Sequence, residues 1–304
     1  MHSSEWALVT FTILVQISAG FYLALAVFNK WTTSKYDIEG PDFLGKWSLI
    51  SVFALIILSA IVSFFHLGNP LYAFYSIANI NSSWLSREIL LLIIYILFSG
   101  IFTYIHKKKL LVAALRGLFG WIVVVIGMIL IYSMANIYML PTVPTWNTIT
   151  TPITFYLTSL LLGIISLFLT FFIDHQRRAQ LKRDFVDPEE ILLKKSLKLA
   201  VILGLSVIIV EVGMNIVQAA NHVTLFAEQT GSKFTGNSNM IWFLRYRIIS
   251  GFIGLFILIF AYNRSAPRKI LSYRWVIYTG LLCIFLSQLL GRIFFYSTYL
   301  QGGI

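Results

Sequence analysis

The chain has 304 residues, of which 58% are hydrophobic and only 12% are charged, and its mean hydropathy is +0.83. Because a soluble domain carries about 25% charged residues, this composition excludes a soluble globular enzyme. The high apolar content also excludes a disordered chain. The single cysteine, Cys283, excludes both an internal disulfide and a cysteine-ligated metal cluster built from this chain alone.

Eight apolar stretches are long enough to cross about 30 Å of hydrocarbon as α-helices. They run over Trp6–Phe28, Trp47–Phe65, Glu88–Ile105, Gly117–Tyr138, Ile153–Ile173, Leu199–Ala220, Ile241–Tyr262 and Trp275–Tyr296. Each stretch is continuously apolar, whereas the strands of a membrane β-barrel would alternate over about ten residues. We therefore predict an all-α integral membrane protein, a single polytopic domain over residues 1–304 with eight transmembrane helices.

The positive charges are distributed unevenly between the connections. The odd connections carry most of the 23 Lys and Arg residues: Lys30, Lys35, Lys46, Lys107, Lys108, Lys109, Arg116, Arg177, Arg178, Lys182, Arg183, Lys194, Lys195, Lys198, Arg264, Arg268, Lys269 and Arg274. The even connections carry only Arg87 and Lys233. The positive-inside rule then places the odd connections in the cytoplasm and both termini on the outer side of the cytoplasmic membrane. The net charge of +11 is thus a topology signal beside an anionic leaflet, and it does not indicate nucleic-acid binding.

The ionisable residues in or beside the predicted spans are expected to lie at a similar depth in the membrane. With the orientation above, all of them fall in the outer half of the membrane: His66, Arg87, Glu88, Glu211, Arg245, Arg247 and Arg292. Each is costly to place in hydrocarbon, so the group predicts one polar cavity that opens outward. Four cations face two carboxylates in this set, and the surplus positive charge suits a partly anionic ligand or an acidic partner. For any single Arg, snorkelling to the surface or a structural ion pair is an equally good interpretation.

A lipophilic quinol is one of several ligands that these residue types suit. A quinone head needs hydrogen-bond partners for two oxygens, and quinol oxidation needs a base such as histidine. A bis-histidine haem requires facing ligands within the membrane, and only His66 and His222 could meet, so we expect no haem and no metal site. Two other classes stay open: a secondary transporter for a small anion, and a structural tether without quinol chemistry.

Several short motifs add a family resemblance that extends over essentially the whole chain. HLGNP (66–70), LSREI (85–89) and VPTW (143–146) resemble the membrane anchor subunit of dimethyl sulfoxide reductase, the DmsC family. EWAL near the start, FYLT at 155–158, Arg247-Ile248 and Gly291-Arg292 fit the same family. One position departs from the pattern, since Gln288 stands where the family pattern would have an acidic residue.

The resemblance implies a respiratory function. An anchor of this family oxidises menaquinol and passes the electrons to a ferredoxin-like subunit with [4Fe–4S] clusters. That subunit passes them on to a molybdopterin catalytic subunit. All metal cofactors are then expected in those partners. The resemblance places the quinol-site histidine at His66 and the motif carboxylate at Glu88 as catalytic groups. The predicted binding or pocket residues are Arg247, Arg292, Glu211, Arg245, Gln288, Asn69 and Trp146.

Overall fold

The computed structural model describes residues 3–36, 46–65, 79–180, 187–230, 238–265 and 267–297. Eight α-helices lie in these residues: α1 (Ser3–Tyr36), α2 (Lys46–Ser63), α3 (Trp84–Lys108), α4 (Ala113–Tyr138), α5 (Thr150–Gln180), α6 (Asp187–Thr230), α7 (Ser238–Arg264) and α8 (Arg274–Ser297). A 3-10 helix, Pro267–Tyr273, leads into α8. Each predicted span falls on one of these helices, and the described part of the chain contains no strand.

Seven of the helices are long and apolar enough to cross a membrane. The exception is α2, whose described apolar part, Ser48–Ser63, is shorter than the others. The all-α membrane architecture is therefore confirmed, while the count of eight spans and the outer location of both termini stay predictions. Several helices extend past the predicted spans: α5 continues to Gln180, and α6 begins at Asp187, well before Leu199. Their ends are charged and polar, so they project beyond the hydrocarbon.

Local sequence signals determine where α3 begins and ends. Ser83 is its N-cap, with an extended backbone and a side chain that accepts a hydrogen bond from the Ser86 amide. At the other end Lys109 adopts a left-handed conformation with φ 51°, and three basic residues, His106, Lys107 and Lys108, occupy the last turn. Positive groups at a helix C-terminus interact favourably with the macrodipole. The sharp connection that follows lets α4 start only a few residues later.

The protein forms two compact units. The first comprises Met1–Met134 and Leu162–Glu189, and the second comprises Ala135–Leu161 and Glu190–Ile304. Helix α5 therefore supplies its N-terminal part to the second unit and the remainder to the first.

The core of the first unit is built on aromatic side chains from α1 and α3. The buried Tyr22 ring makes edge-to-face contacts with Tyr95 at 6.2 Å and with Phe102 at 5.8 Å between centroids. The Tyr95 hydroxyl donates a hydrogen bond of 3.3 Å to Ser18, which satisfies a polar group that would be costly to bury alone. Helix α2 packs against both α1 and α3.

Two glycines allow α1 and α5 to approach closely in the first unit. A Cβ atom added at Gly163 would overlap the backbone of Gly20. Small residues at such crossings let membrane helices pack through their backbones. We expect Gly163→Leu to destabilise the protein by about 1–3 kcal/mol through overpacking, measured as a lower midpoint of thermal aggregation in detergent. Gly213→Leu is the control, because a Cβ atom there has nothing within 4 Å; equal midpoints for the two variants would contradict the close crossing.

In the second unit, α7 and α8 pack along one another. A Cβ atom at Gly254 would lie 2.7 Å from the Gly280 carbonyl oxygen, so these helices also approach at glycines. Ser250 on α7 donates a hydrogen bond of 2.6 Å to the Cys283 carbonyl of α8. The opposite face of α7 exposes large apolar side chains, as a lipid-facing surface does: Ile249, Phe252, Ile253, Phe256 and Phe260.

Candidate functional site

A buried ion pair links α6 and α7 in the second unit. One guanidinium nitrogen of Arg247 lies 3.1 Å from a carboxylate oxygen of Glu211. Glu211 is 2% exposed, so the carboxylate is removed from water. A charge buried in a low-dielectric interior is tolerated only when it is paired and its remaining lone pairs are satisfied. Both residues were predicted from the sequence as pocket groups, and the structure brings them into direct contact.

Three uncharged polar side chains complete the hydrogen bonding of this pair. Gln288 on α8 donates from Nε2 to the Glu211 carboxylate at 2.8 Å, and Thr158 on α5 donates to its other oxygen at 3.3 Å. A second nitrogen of Arg247 donates to Asn215 Oδ1 at 2.6 Å. We call these five residues the Glu211–Arg247 cluster. Because four helices each contribute a member, the cluster fixes their register within the second unit.

Helix α8 is shaped to receive the Arg247 side chain. At Gly291, a Cβ atom would collide with the guanidinium group of Arg247, so only glycine leaves space for it. One turn earlier, Ser287 donates a hydrogen bond of 2.8 Å to the Arg247 carbonyl. Packing therefore explains the glycine of the Gly291-Arg292 motif, because it leaves space for Arg247 from the neighbouring helix.

Arg292 is buried among aromatic rings. Its guanidinium carbon lies 3.8 Å from the centroid of Phe155 and 5.6 Å from that of Phe295. The side chain is 3% exposed, and a cation over aromatic faces gains stabilisation when it is desolvated. Arg292 thus holds a positive charge deep in the second unit beside flat apolar walls.

The connection between α4 and α5 is held against the end of α8 by Trp146. The indole Nε1 of Trp146 donates to the Phe295 carbonyl at 3.0 Å, and its ring stacks on the Phe295 ring at 5.3 Å. The Tyr296 hydroxyl donates to the hydroxyl of Tyr138 at 3.0 Å, and the Tyr138 ring contacts Trp146 edge-on at 5.5 Å. The VPTW motif therefore supplies an aromatic cover next to Arg292.

Positive charge predominates among the buried groups of the second unit. Among its described buried side chains, two guanidinium groups, Arg247 and Arg292, accompany one carboxylate, Glu211. Within the Glu211–Arg247 cluster one positive charge meets one negative charge, and Arg292 adds a second positive charge beside it. A fixed positive charge next to aromatic walls favours a ligand oxygen that gains negative charge.

Arg245 does not join this cluster. Its side chain is exposed, and its guanidinium carbon lies 5.1 Å from the ring centroid of Trp242 on the same helix. Arg245 is two residues before Arg247, so the two side chains leave α7 on different faces. This placement matches the snorkelling interpretation better than the predicted pocket role.

Glu88 lies in the first unit, near the start of α3, and is buried. The preceding residue, Arg87, is turned the other way: it donates to the carbonyls of Ile80 and Asn81 at 2.8 Å each and packs over Trp84 at 4.2 Å. Arg87 therefore stabilises the turn before α3, whereas the Glu88 side chain is buried within the unit. The predicted residues His66 and Asn69 lie outside the described residues, so their roles stay predictions.

The described part of the chain offers no group of three or more His, Cys, Asp or Glu side chains able to hold a metal ion. The buried charged residues described in the second unit are instead arranged as a hydrogen-bonded ion pair and an arginine among aromatic rings.

Comparison with known proteins identifies the family. The family model described as DMSO reductase anchor subunit (DmsC) matches residues 1–298. This protein belongs to the DmsC family. The resemblance carried by the HLGNP, LSREI and VPTW motifs is thereby confirmed, and with it the interpretation of the protein as a multi-pass inner-membrane anchor.

Curated relatives are similar over part of their length. The protein is 33% identical over 167 residues to the C subunit of anaerobic dimethyl sulfoxide reductase from Escherichia coli, covering 52% of the present sequence and 55% of the relative. It is 29% identical over 178 residues to the corresponding C subunit from Haemophilus influenzae, covering 59% and 62%. It is 34% identical over 167 residues to the anaerobic dimethyl sulfoxide reductase subunit YnfH from Escherichia coli, covering 53% and 55%. The aligned region thus spans somewhat more than half of each of these relatives.

Two members of the Glu211–Arg247 cluster were not predicted as site residues. Asn215 lies one helical turn after Glu211, and this i, i+4 spacing was the available signal. Thr158 lies in the FYLT motif, but a threonine in an apolar helix usually bonds its own backbone, so nothing in the sequence predicts that it reaches α6.

Proposed function

We propose that this DmsC-family protein is the membrane anchor and menaquinol-oxidising subunit of an anaerobic respiratory oxidoreductase of the DMSO reductase type. The observation that carries the proposal is the family match over residues 1–298. In the proposed reaction, menaquinol loses two electrons and two protons and becomes menaquinone. The electrons pass to a [4Fe–4S] cluster of a ferredoxin-like partner, and from there to a molybdopterin subunit that reduces the terminal acceptor.

His66 and Glu88 are the proposed proton acceptors. Histidine titrates near neutral pH, so an imidazole at the end of the second span can take a proton from a quinol hydroxyl and release it to the outer side. The buried carboxyl group of Glu88 lies near the N-terminal end of α3, where it can accept the second proton or orient the imidazole. Asn69, in the same HLGNP motif as His66, is a proposed hydrogen-bond partner for the quinol.

Separate roles are proposed for the predicted residues of the second unit. Glu211 already accepts hydrogen bonds from Arg247, Gln288 and Thr158, so we assign it a positioning role. Arg292 holds a fixed positive charge beside aromatic walls, and we assign it the stabilisation of negative charge on a quinol oxygen. The amide of Gln288 replaces a family carboxylate, and its hydrogen bond to Glu211 supports a structural role. Trp146 is also a proposed residue of the pocket wall.

Two alternatives remain, and purification separates them from the proposal. We expect the protein to co-isolate with iron–sulfur absorbance and molybdenum, and the isolated complex to oxidise a menaquinol analogue. Isolation as a lone polypeptide that drives uptake of a small anion into proteoliposomes would instead support a transporter. A complex that accepts electrons from an artificial donor but never from quinol would support a structural tether.

A further inference from the structure

A cavity unrelated to the Glu211–Arg247 cluster lies in the first unit. It has a volume of about 580 Å³ and is lined by the C-terminal parts of α1 and α3 and by the start of α4. By the charge bias of the connections this is the inner end of the helices, opposite to the predicted quinol chemistry. A cavity of this size is in the range of small-ligand sites.

The polar part of the cavity wall is basic. Lys30 from α1, His106 from α3 and Arg116 from α4 line it together with Asn29, and the described residues of the wall include no Asp or Glu. One Arg116 nitrogen donates to the Leu111 carbonyl at 2.8 Å, which holds the guanidinium at the edge of the cavity. Lys30 and Arg116 place two positive charges in a wall without described carboxylates, and this arrangement favours the binding of an anion.

The rest of the wall is apolar and includes exposed residues of α4. Tyr22 and Phe102 form the inner wall, and Leu118 and Trp121 of α4 form the outer edge. Leu118 is 54% exposed and Trp121 is 39% exposed, on a helix face that is apolar and therefore faces hydrocarbon. A ligand in this cavity can thus keep a charged head beside Lys30 and Arg116 while an apolar tail leaves between the helices.

We infer that this cavity binds an anionic phospholipid of the inner leaflet, with the phosphodiester group between Lys30 and Arg116. Basic pockets between transmembrane helices on the cytoplasmic side are suited to anionic lipid headgroups. The aromatic rings and the exposed apolar edge at Leu118 and Trp121 favour a lipid over a free phosphate, and the two cations favour an anion over a neutral quinone ring. The inference does not depend on quinol oxidation.

Native mass spectrometry of the full-length protein tests this inference. After exchange into detergent, we expect phosphatidylglycerol to bind and phosphatidylcholine to bind much more weakly. Because each basic residue at an anionic surface contributes about fivefold in affinity, Lys30→Ala with Arg116→Ala should weaken phosphatidylglycerol binding on the order of 30-fold. The matched control is Lys107→Ala with Lys108→Ala, which removes two exposed charges at the same helix end without touching the cavity.

A second variant tests the cavity without changing its charge. A Cβ atom at Gly117 meets nothing within 4 Å, so Gly117→Leu fills open space in the cavity and should fold normally. We expect it to lose phosphatidylglycerol, whereas Gly213→Leu should keep it. Retention by Gly117→Leu, equal binding of the two lipids, displacement of the lipid by inorganic phosphate, or binding of menadione in place of the lipid would each overturn the inference.

Discussion

Arg247→Leu is expected to destabilise the protein by about 3–5 kcal/mol, because it leaves the Glu211 carboxylate buried without its counter-ion. Glu211 is 2% exposed and cannot recover a hydration shell without opening the helices. The measurement is the midpoint of thermal aggregation of the detergent-solubilised protein. Adding Glu211→Gln to the same variant should restore much of the loss, since it removes the unpaired charge and keeps a side chain that can bond Gln288.

Arg245→Leu is the matched control for Arg247→Leu. It removes the same charge from the same helix, two residues away, at an exposed position whose loss should change stability by no more than about 0.5 kcal/mol. If Arg247→Leu were as stable as Arg245→Leu, the buried pair would not be holding α6 and α7 together. If Glu211→Gln failed to rescue Arg247→Leu, the loss would come from packing around Gly291 and not from charge.

His66→Ala is expected to lower menaquinol-dependent turnover of the assembled complex by about 10²–10⁴-fold, the range that a positioned acid or base contributes. Reduction of the terminal acceptor by an artificial donor that feeds the clusters directly should stay at the wild-type rate. The histidine control is His222→Ala, which changes another residue of the same type on the same predicted membrane face. Unchanged quinol turnover in an assembled His66→Ala complex would remove His66 from the mechanism.

Glu88→Gln tests the second proposed proton acceptor. The amide has nearly the size of the carboxyl group but cannot accept a proton, so folding should survive while quinol turnover falls. Because Glu88 is buried, an effect on assembly must be separated from an effect on chemistry. The assay is therefore normalised to the artificial-donor rate of each complex. A loss of both rates together would indicate a structural role for Glu88.

Much of the fold is predictable from the sequence because a bilayer permits few spanning structures. A backbone without water must satisfy its own hydrogen bonds, so continuous apolar runs become helices, and each predicted span coincides with a helix. Helix ends were less predictable. Helices α5 and α6 extend into charged segments such as the one beginning at Asp187. Water can hydrogen-bond the backbone there, so the bilayer no longer dictates a helix and local helix propensity decides.

The sequence alone determined the membrane architecture, the family and the types of residue available for a site, because all three follow from composition, hydropathy and short motifs. Only the tertiary structure decided how those residues are paired. It joined Glu211 to Arg247 and Gln288, turned Arg245 outward and placed Arg292 among aromatic rings. The physical reason is that a buried charge must find its partner across helices, and helix rotation, which hydropathy does not specify, selects that partner.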